Sequence, residues 1–232
     1  VVRALGSRDE AVRRPAFAEL VDGYWRPSYK YLRVRWRLPA EDAEDLTQEF
    51  FARAFEKRYL EGYDPGRARF RTYLRTCLDR FAANRRRADR RLKRGGGAAV
   101  LSVDFASAEA ELERAGALTA AAPEADPEAW YHREWRRGLF RAAVTELREL
   151  CRAGGKEVRF TVFERYDLRG GDGLTYARLG EELGIPATQV TNHLAWARRE
   201  LRRIVLARLA RVCGSEEEMA AEARDLLGGG AP

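Results

Sequence analysis

The chain has 232 residues, with 43 Lys and Arg against 36 Asp and Glu, a formal net charge of +7 and a pI near 9.6. That length accommodates one or two domains, and the basic excess favours a polyanionic partner, nucleic acid before an anionic membrane surface. Three scattered cysteines without a C-x-x-C pair and only two histidines argue against a disulfide framework or a metal site, and no apolar run approaches the ~18 residues of a membrane span, so the expectation is a protein of the reducing cytoplasm without cofactor or membrane insertion.

Nearly the whole chain carries helical periodicity and strand-like alternation is scarce, so the predicted fold is all-α. Phe17, Leu20, Val21, Tyr24, Trp25, Tyr29, Leu32 and Trp36 mark a helical region over 11–38, which Pro27 is expected to kink or split and Pro39 to end. The next helix opens near Glu41, with Ala43, Leu46, Phe50 and Ala54 on one face and Glu41, Asp42, Glu44, Asp45, Gln48 and Glu49 on the other. Acids suit a first helical turn through its dipole, but here they persist for two turns. "KRYLEGYDPGRAR", Lys57 to Arg69, reads as a loop by its Gly, Pro and Asp-Pro content. Its Tyr59, Tyr63, Arg67 and Arg69 combine aromatic and cationic groups, which suits an unstacked base; pinning of the loop to the core by both tyrosines is the competing reading.

From Arg69 to Gly97 there are eleven Lys or Arg residues and two acids, Asp79 and Asp89. Yet Phe70, Tyr73, Leu74, Cys77, Leu78 and Phe81 fall at i, i+3, i+4, i+7, i+8 and i+11, so one helix is half core and half cation. Gly95-Gly96-Gly97 closes a first domain over 1–97. Residues 98–127 read as an acidic linker, part of it a short helix, because seven acids face one base between Asp104 and Glu128. The second domain is placed at 128–212. Its helices are expected around Trp135, Leu139, Ala142 and Leu147, then over Glu157 to Leu168, with "RGGDG" as a turn-rich joint. Residues 213–232 form an acidic extension. Met219, Ala223, Leu226 and Leu227 at i, i+4, i+7 and i+8 predict a short helix, stopped by Gly228 to Gly230. This tail is expected to extend the second domain's core or to lay its acids over that domain's arginines.

"LTYARLGEELGIPATQVTNHLAWARRELRRI" is the sharpest pattern. Thr175 can cap a helix burying Leu179 and Leu183, Gly184 suits a left-handed helix end, and Pro186 opens the next helix. That helix is expected to bury Val190, Leu194, Ala197 and Leu201. Its other face offers Thr188, Gln189, Thr191, Asn192, His193 and Trp196 and then Arg198, Arg199, Arg202 and Arg203. Two helices with a short Gly turn, amides early and arginines later, predict a DNA-binding helix-turn-helix: Gln and Asn bond adenine edges, Arg reaches phosphates. His193 reads as a phosphate or groove contact, having no carboxylate or metal partner. No nucleophile, base and oxyanion set assembles and no G-x-x-x-x-G-K-[ST] occurs, so no enzyme is expected.

"PAFAELVDGYWRPSYKYL", "DAEDLTQEFFARAFEK", "FRTYLRTCLDRFAANRRR" and the helix-turn-helix segment, in that order, resemble bacterial RNA polymerase sigma factors of the extracytoplasmic-function type over most of residues 11–210. The resemblance implies two small helical domains, a region 2 that docks on core RNA polymerase and opens the minus-ten element, and a region 4 that reads the minus-thirty-five element. It implies Asp42, Asp45, Gln48 and Glu49 as the core-docking face and the loop from Arg58 to Arg69, with Tyr63, Arg67 and Arg69, as the site of a flipped non-template base. It further implies the basic helix from Arg71 to Arg94, including Arg75, Arg80, Asn84, Arg85, Arg86 and Arg87, as the holder of the separated strand. Core polymerase and promoter DNA are the implied partners, with an anti-sigma factor or other regulator as a further one. Tyr73 stands where the family often has Trp, Arg80 where it often has Asn, and Asn84 where it often has Asp. The alternative is a stand-alone helix-turn-helix regulator whose first domain is a sensor or dimerisation module.

Overall fold

The computed structural model describes residues 2–89, 102–118, 126–170 and 173–227. The expected continuation of the basic helix to Arg94, the Gly95–Gly97 end, part of the acidic linker, part of "RGGDG" and the Gly228–Gly230 stop lie outside these residues. Among the described residues every regular element is helical, as the periodicity predicts. The chain divides into two compact units, the first Val1–Gly138 with Ala210–Leu226, the second built on Leu139–Leu209.

In the first unit, α1 runs Glu10–Arg35 from an Asp9 cap whose side chain accepts from the Ala11 N–H. Both Pro15 and Pro27 lie inside it, so of the kink or split expected at Pro27 the split does not occur. An internal proline costs about 3 kcal/mol. Here Pro27 is buried in a turn that also buries Tyr24, Trp25, Tyr29, Tyr31 and Leu32. At about 1.5–3 kcal/mol for each large apolar side chain, that packing outweighs the lost backbone bond. Helix α2 spans Ala40–Glu56 after Pro39 and buries Ala43, Leu46, Thr47, Phe50, Phe51 and Ala54. A single 3-10 turn, Tyr59–Gly62, begins the loop. Helix α3 spans Phe70–Asp89; Phe70, Leu74, Leu78 and Ala82 of the predicted stripe are buried, while Tyr73, Cys77 and Phe81 lie at its half-buried margin.

Within the expected linker, α4 spans Phe105–Arg114 and packs on the first unit. It buries Phe105, Ala108 and Leu112, and its acids meet a basic row of α1. Lys30 Nζ bonds Glu111 at 2.6 Å and Glu134 at 2.8 Å, Arg26 reaches the same Glu111 at 3.0 Å, and Arg33 holds Glu109. Glu134 belongs to α5, Pro127–Ala153. Its first turns also bury Tyr131 and Trp135, the latter stacked on Tyr24 at 5.9 Å. The unit boundary therefore falls inside α5, after Gly138, rather than at residue 128 as the sequence reading placed it. The last helix of the unit, α9, spans Glu216–Leu227.

The second unit holds the rest of α5, α6 over Glu157–Phe163 continued by π-type turns over Glu164–Arg169, α7 over Tyr176–Leu183 and α8 over Ala187–Val212. Val162, Leu179, Val190 and Leu194 form its fully buried cluster. Leu183 and Leu201, expected in the core, are half-buried.

Candidate nucleic-acid interface

In the first unit, α2 and α3 present opposite charges side by side. Asp42 and Asp45 of α2 are exposed; Gln48 and Glu49 are half-buried. A cavity of about 500 Å³ lies between the helices, lined by Asp42, Asp45 and Glu49 on one wall, Arg85 and Arg86 on the other, with Trp36 at its end. Glu49 is bound to Arg53 at 2.7 Å and to Arg85 at 3.0 Å. Trp36 was not picked out for this surface by its sequence context, since it ends the apolar pattern of α1. Its indole N–H donates to Asp79, which also receives Tyr31 and Arg75.

The cations of the loop and of α3 fall into two classes. Arg67, Arg80, Asn84, Arg86 and Arg87 are exposed, and among the described residues only Arg67 of these is ion-paired, to Asp64 at 3.2 Å. The others are engaged. Arg75 pairs with Asp79 at 2.6 Å and Glu128 at 3.2 Å, and Arg85 with Glu49. Arg71 differs from its expected place on an exposed cationic face. It is 3% exposed, pairs with Glu222 at 2.6 Å and lies over the Trp135 ring. The physical reason is position: Arg71 directly follows the buried Phe70 at the first turn of α3, where α9 covers it. Arg69 binds Glu222 and Asp225 of the same helix. Burial pushes the Arg71 guanidinium down and the Glu222 carboxyl up, each opposed by its partner.

Tyr63 packs its ring on Phe70 and Tyr73, with centroids 5.0 and 5.5 Å away, and its hydroxyl donates to Glu218 at 2.8 Å. Burial and then that acceptor push the phenol well above its ordinary value, so it remains a donor. Tyr59 is exposed, its carbonyl accepting from the Tyr73 hydroxyl. Thus α9 belongs to the first unit and is not built into the second unit's core, one of the two places the sequence reading gave it. Its Glu218, Glu222 and Asp225 sit on the loop and on the start of α3, where Tyr63, Arg69, Arg71 and the Phe70 N–H supply the donors.

In the second unit, the Thr175 side chain accepts from the Arg178 N–H and caps α7. Gly184 ends it at φ +65, with the Ile185 N–H returning to Gly180 O at 2.9 Å. A Cβ on Gly180 would stand 2.6 Å from Ile185 O, so the close turn into α8 requires glycine there. Thr188, Gln189, Thr191 and Asn192 on α8 are exposed, followed on the outer face by Arg199 and Arg202, which have no ion pair among the described residues. Gln189 and Arg199 are ten residues apart, about 15 Å along the axis. Three expected contacts have other partners. Arg198 makes a two-bonded pair with Asp167 at 2.7 and 2.9 Å, which raises its pKa. Half-buried Trp196 lies under the Arg159 guanidinium at 4.8 Å. Burial, then Arg159, push the half-buried His193 imidazole below its ordinary value.

Among the described residues no cluster of His, Cys, Asp and Glu could hold a metal ion, and no helix is long and apolar enough to cross a membrane. Residues 23–92, which take in the second half of α1, all of α2, the loop and α3, match the family model of sigma-70 region 2. No curated protein and no solved structure matches the chain.

Proposed function

We propose that the protein is a sigma factor of the extracytoplasmic-function type, which binds core RNA polymerase and directs it to promoters. The observation that carries this reading is that the sigma-70 region 2 match falls on the α2–loop–α3 segment, where an acidic face, an aromatic loop and a cationic helix lie together. The exposed carboxylates of Asp42 and Asp45, with Gln48 and Glu49, are the docking face for core polymerase. Tyr63, Arg67, Arg69, Arg80, Asn84, Arg86 and Arg87 belong to the strand-holding surface, cations on the backbone and rings for an unstacked base. Arg71, Arg75 and Arg85 support that surface from within the fold and are available to DNA only if their ion pairs exchange. The exposed face of α8 enters a major groove at the upstream promoter element, Gln189 and Asn192 toward bases, Arg199 and Arg202 toward phosphates.

Strand opening needs more than this chain. Each unstacked base costs a few kcal/mol, and stacking on an aromatic side chain returns about 1–3 kcal/mol. Docking on core polymerase supplies the rest, which is why the acidic and cationic faces belong to one machine. The protein acts in the cytoplasm, where the polymerase is.

Run-off transcription tests the reading. Core polymerase with the protein should initiate at a promoter that core alone ignores, with permanganate-reactive thymines around the start site. Specific duplex binding without core, and no gain of initiation with it, would instead identify a stand-alone helix-turn-helix regulator.

A further inference from the structure

Helix α9 inverts the expected arrangement of an amphipathic helix. Met219, Leu226 and Leu227 are only half-buried, whereas its two buried residues are acids, Glu218 and Glu222. Its attachment therefore rests on matched charge to an unusual degree. Glu218 accepts from three donors: the Tyr63 hydroxyl at 2.8 Å, the Phe70 backbone N–H at 2.5 Å and the Gly214 N–H at 2.7 Å. Phe70 opens a 20-residue helix, so one of these donors is the anion-seeking N-terminus of α3. Glu222 bridges Arg69 and Arg71, and Asp225 bonds Arg69 at 2.6 Å and lies 3.5 Å from Arg136. The pairing is imperfect, since the buried Arg71 Nε finds no protein acceptor.

A helix N–H, a phenol and two guanidiniums converging on two carboxylates are also the donors that a phosphodiester chain would use. We propose that α9 is an internal ligand that imitates nucleic-acid phosphates: Glu218 and Glu222 fill two anion positions of the strand-holding surface, and a single DNA strand displaces them. The inference rests on the strand-holding role assigned above to Tyr63 and Arg69. It makes the free protein a poor binder of single-stranded DNA and makes opening of α9 a condition of strand capture.

Gly214 offers a test that changes no charge. A Cβ there would meet Tyr63 Cε1 at 2.2 Å and its hydroxyl at 2.9 Å, so Gly214→Ala forces the junction that leads into α9 away from Tyr63 and loosens the helix from the loop. Asp225→Asn removes one carboxylate from Arg69 at an exposed position. Truncation after Cys213 removes the whole helix. Each protein is titrated with a fluorescein-labelled single-stranded oligonucleotide of mixed sequence, read by anisotropy, with circular dichroism to verify folding.

If the intact chain is strand-competent about one tenth of the time, releasing α9 tightens binding by up to about tenfold, with Gly214→Ala and Asp225→Asn between parent and truncation. Oligonucleotide added to the full-length protein should accelerate amide hydrogen exchange across residues 216–227. Equal affinities for parent, Gly214→Ala and Asp225→Asn, with α9 amides still protected in the complex, would overturn the proposal and leave the strand-holding role standing. Failure of every folded form, the truncation included, to bind the strand would overturn that role and the proposal together.

Discussion

His132 makes the stability of the first unit depend on pH in a calculable way. It lies on the first turns of α5, its side chain 17% exposed, with Nε2 3.3 Å from Thr72 Oγ1 and 3.7 Å from Glu128. Burial, and next Arg71, push the imidazole from 6.5 down to about 4; Glu128 opposes the shift, while Arg136 and Arg75 add to it. Between these two values the unfolded chain binds the proton and the folded one does not. The contribution of a neutral His132 is therefore fully present above pH 6.5 and is lost as pH falls toward 4. At 1.36 kcal/mol per pH unit, the loss between pH 7.5 and pH 4.5 is about 2.5 kcal/mol. Carboxylates titrate over the same range, so the quantity to measure is the difference between the parent and His132→Gln, which keeps a partner for Thr72. Urea unfolding followed by tryptophan fluorescence, in a Trp196→Phe background so that only first-unit tryptophans report, gives both stabilities. Curves for parent and variant that run parallel from pH 7.5 to 4.5 would refute the reasoning.

Other consequences are as direct. Lys30→Met removes the cation that Glu111 and Glu134 share, leaving Glu111 to Arg26 and Glu134 to Arg137, and should lower first-unit stability by about 1–3 kcal/mol in urea titrations, with Glu134→Gln in the same chain recovering part of it. Asp45→Arg, at an exposed position without an ion pair among the described residues, should leave helicity and melting unchanged and weaken capture of core polymerase in a pull-down. Gln189→Ala should relax preference at one base pair by about 1–3 kcal/mol in competition binding, whereas Arg199→Ala should weaken all duplexes alike and reduce the salt slope by about one. Gly180→Ala sets a Cβ against Ile185 O and should destabilise the α7–α8 turn by about 1–3 kcal/mol, seen as a lower melting temperature of the second unit.

The parts of the fold that were legible in the sequence are those fixed by neighbours a few residues away. The α3 stripe, the Thr175 cap, the left-handed Gly184 and the buried Val190, Leu194 and Ala197 all follow from local spacing and backbone chemistry. The helix runs on through Pro27 because the aromatic residues around it pack against rings of α4 and α5, two elements distant in sequence. The linker hid a signal: Phe105, Ala108 and Leu112 at i, i+3 and i+7 inside an acidic stretch, complementary to Arg26, Lys30 and Arg33 at i, i+4 and i+7 of α1. The destination of α9 was not legible at all. A helix pattern tells which residues share a face, and in α9 even the choice of buried face went to the carboxylates once a cationic notch was available.

The same limit governs the reading of charge. Eleven basic residues between Arg69 and Gly97 look like one electrostatic surface for DNA. Of those at described positions, Arg69, Arg71, Arg75 and Arg85 are bound to carboxylates of the fold, while Arg80, Arg86 and Arg87 are exposed and have no ion pair among the described residues. A paired arginine serves stability first, and removing it leaves a carboxylate stranded. A free one serves affinity and steers the approach of a polyanion. Composition counts both alike, so net charge overstates the cation available to a strand in the free protein. If the described part of α3 holds a DNA strand as proposed, its three exposed arginines without an ion pair among the described residues supply only a weak, salt-sensitive share of that binding. Strength must then come from events that exchange the internal pairs for phosphate, and the pairs closest to the aromatic loop are those made by α9.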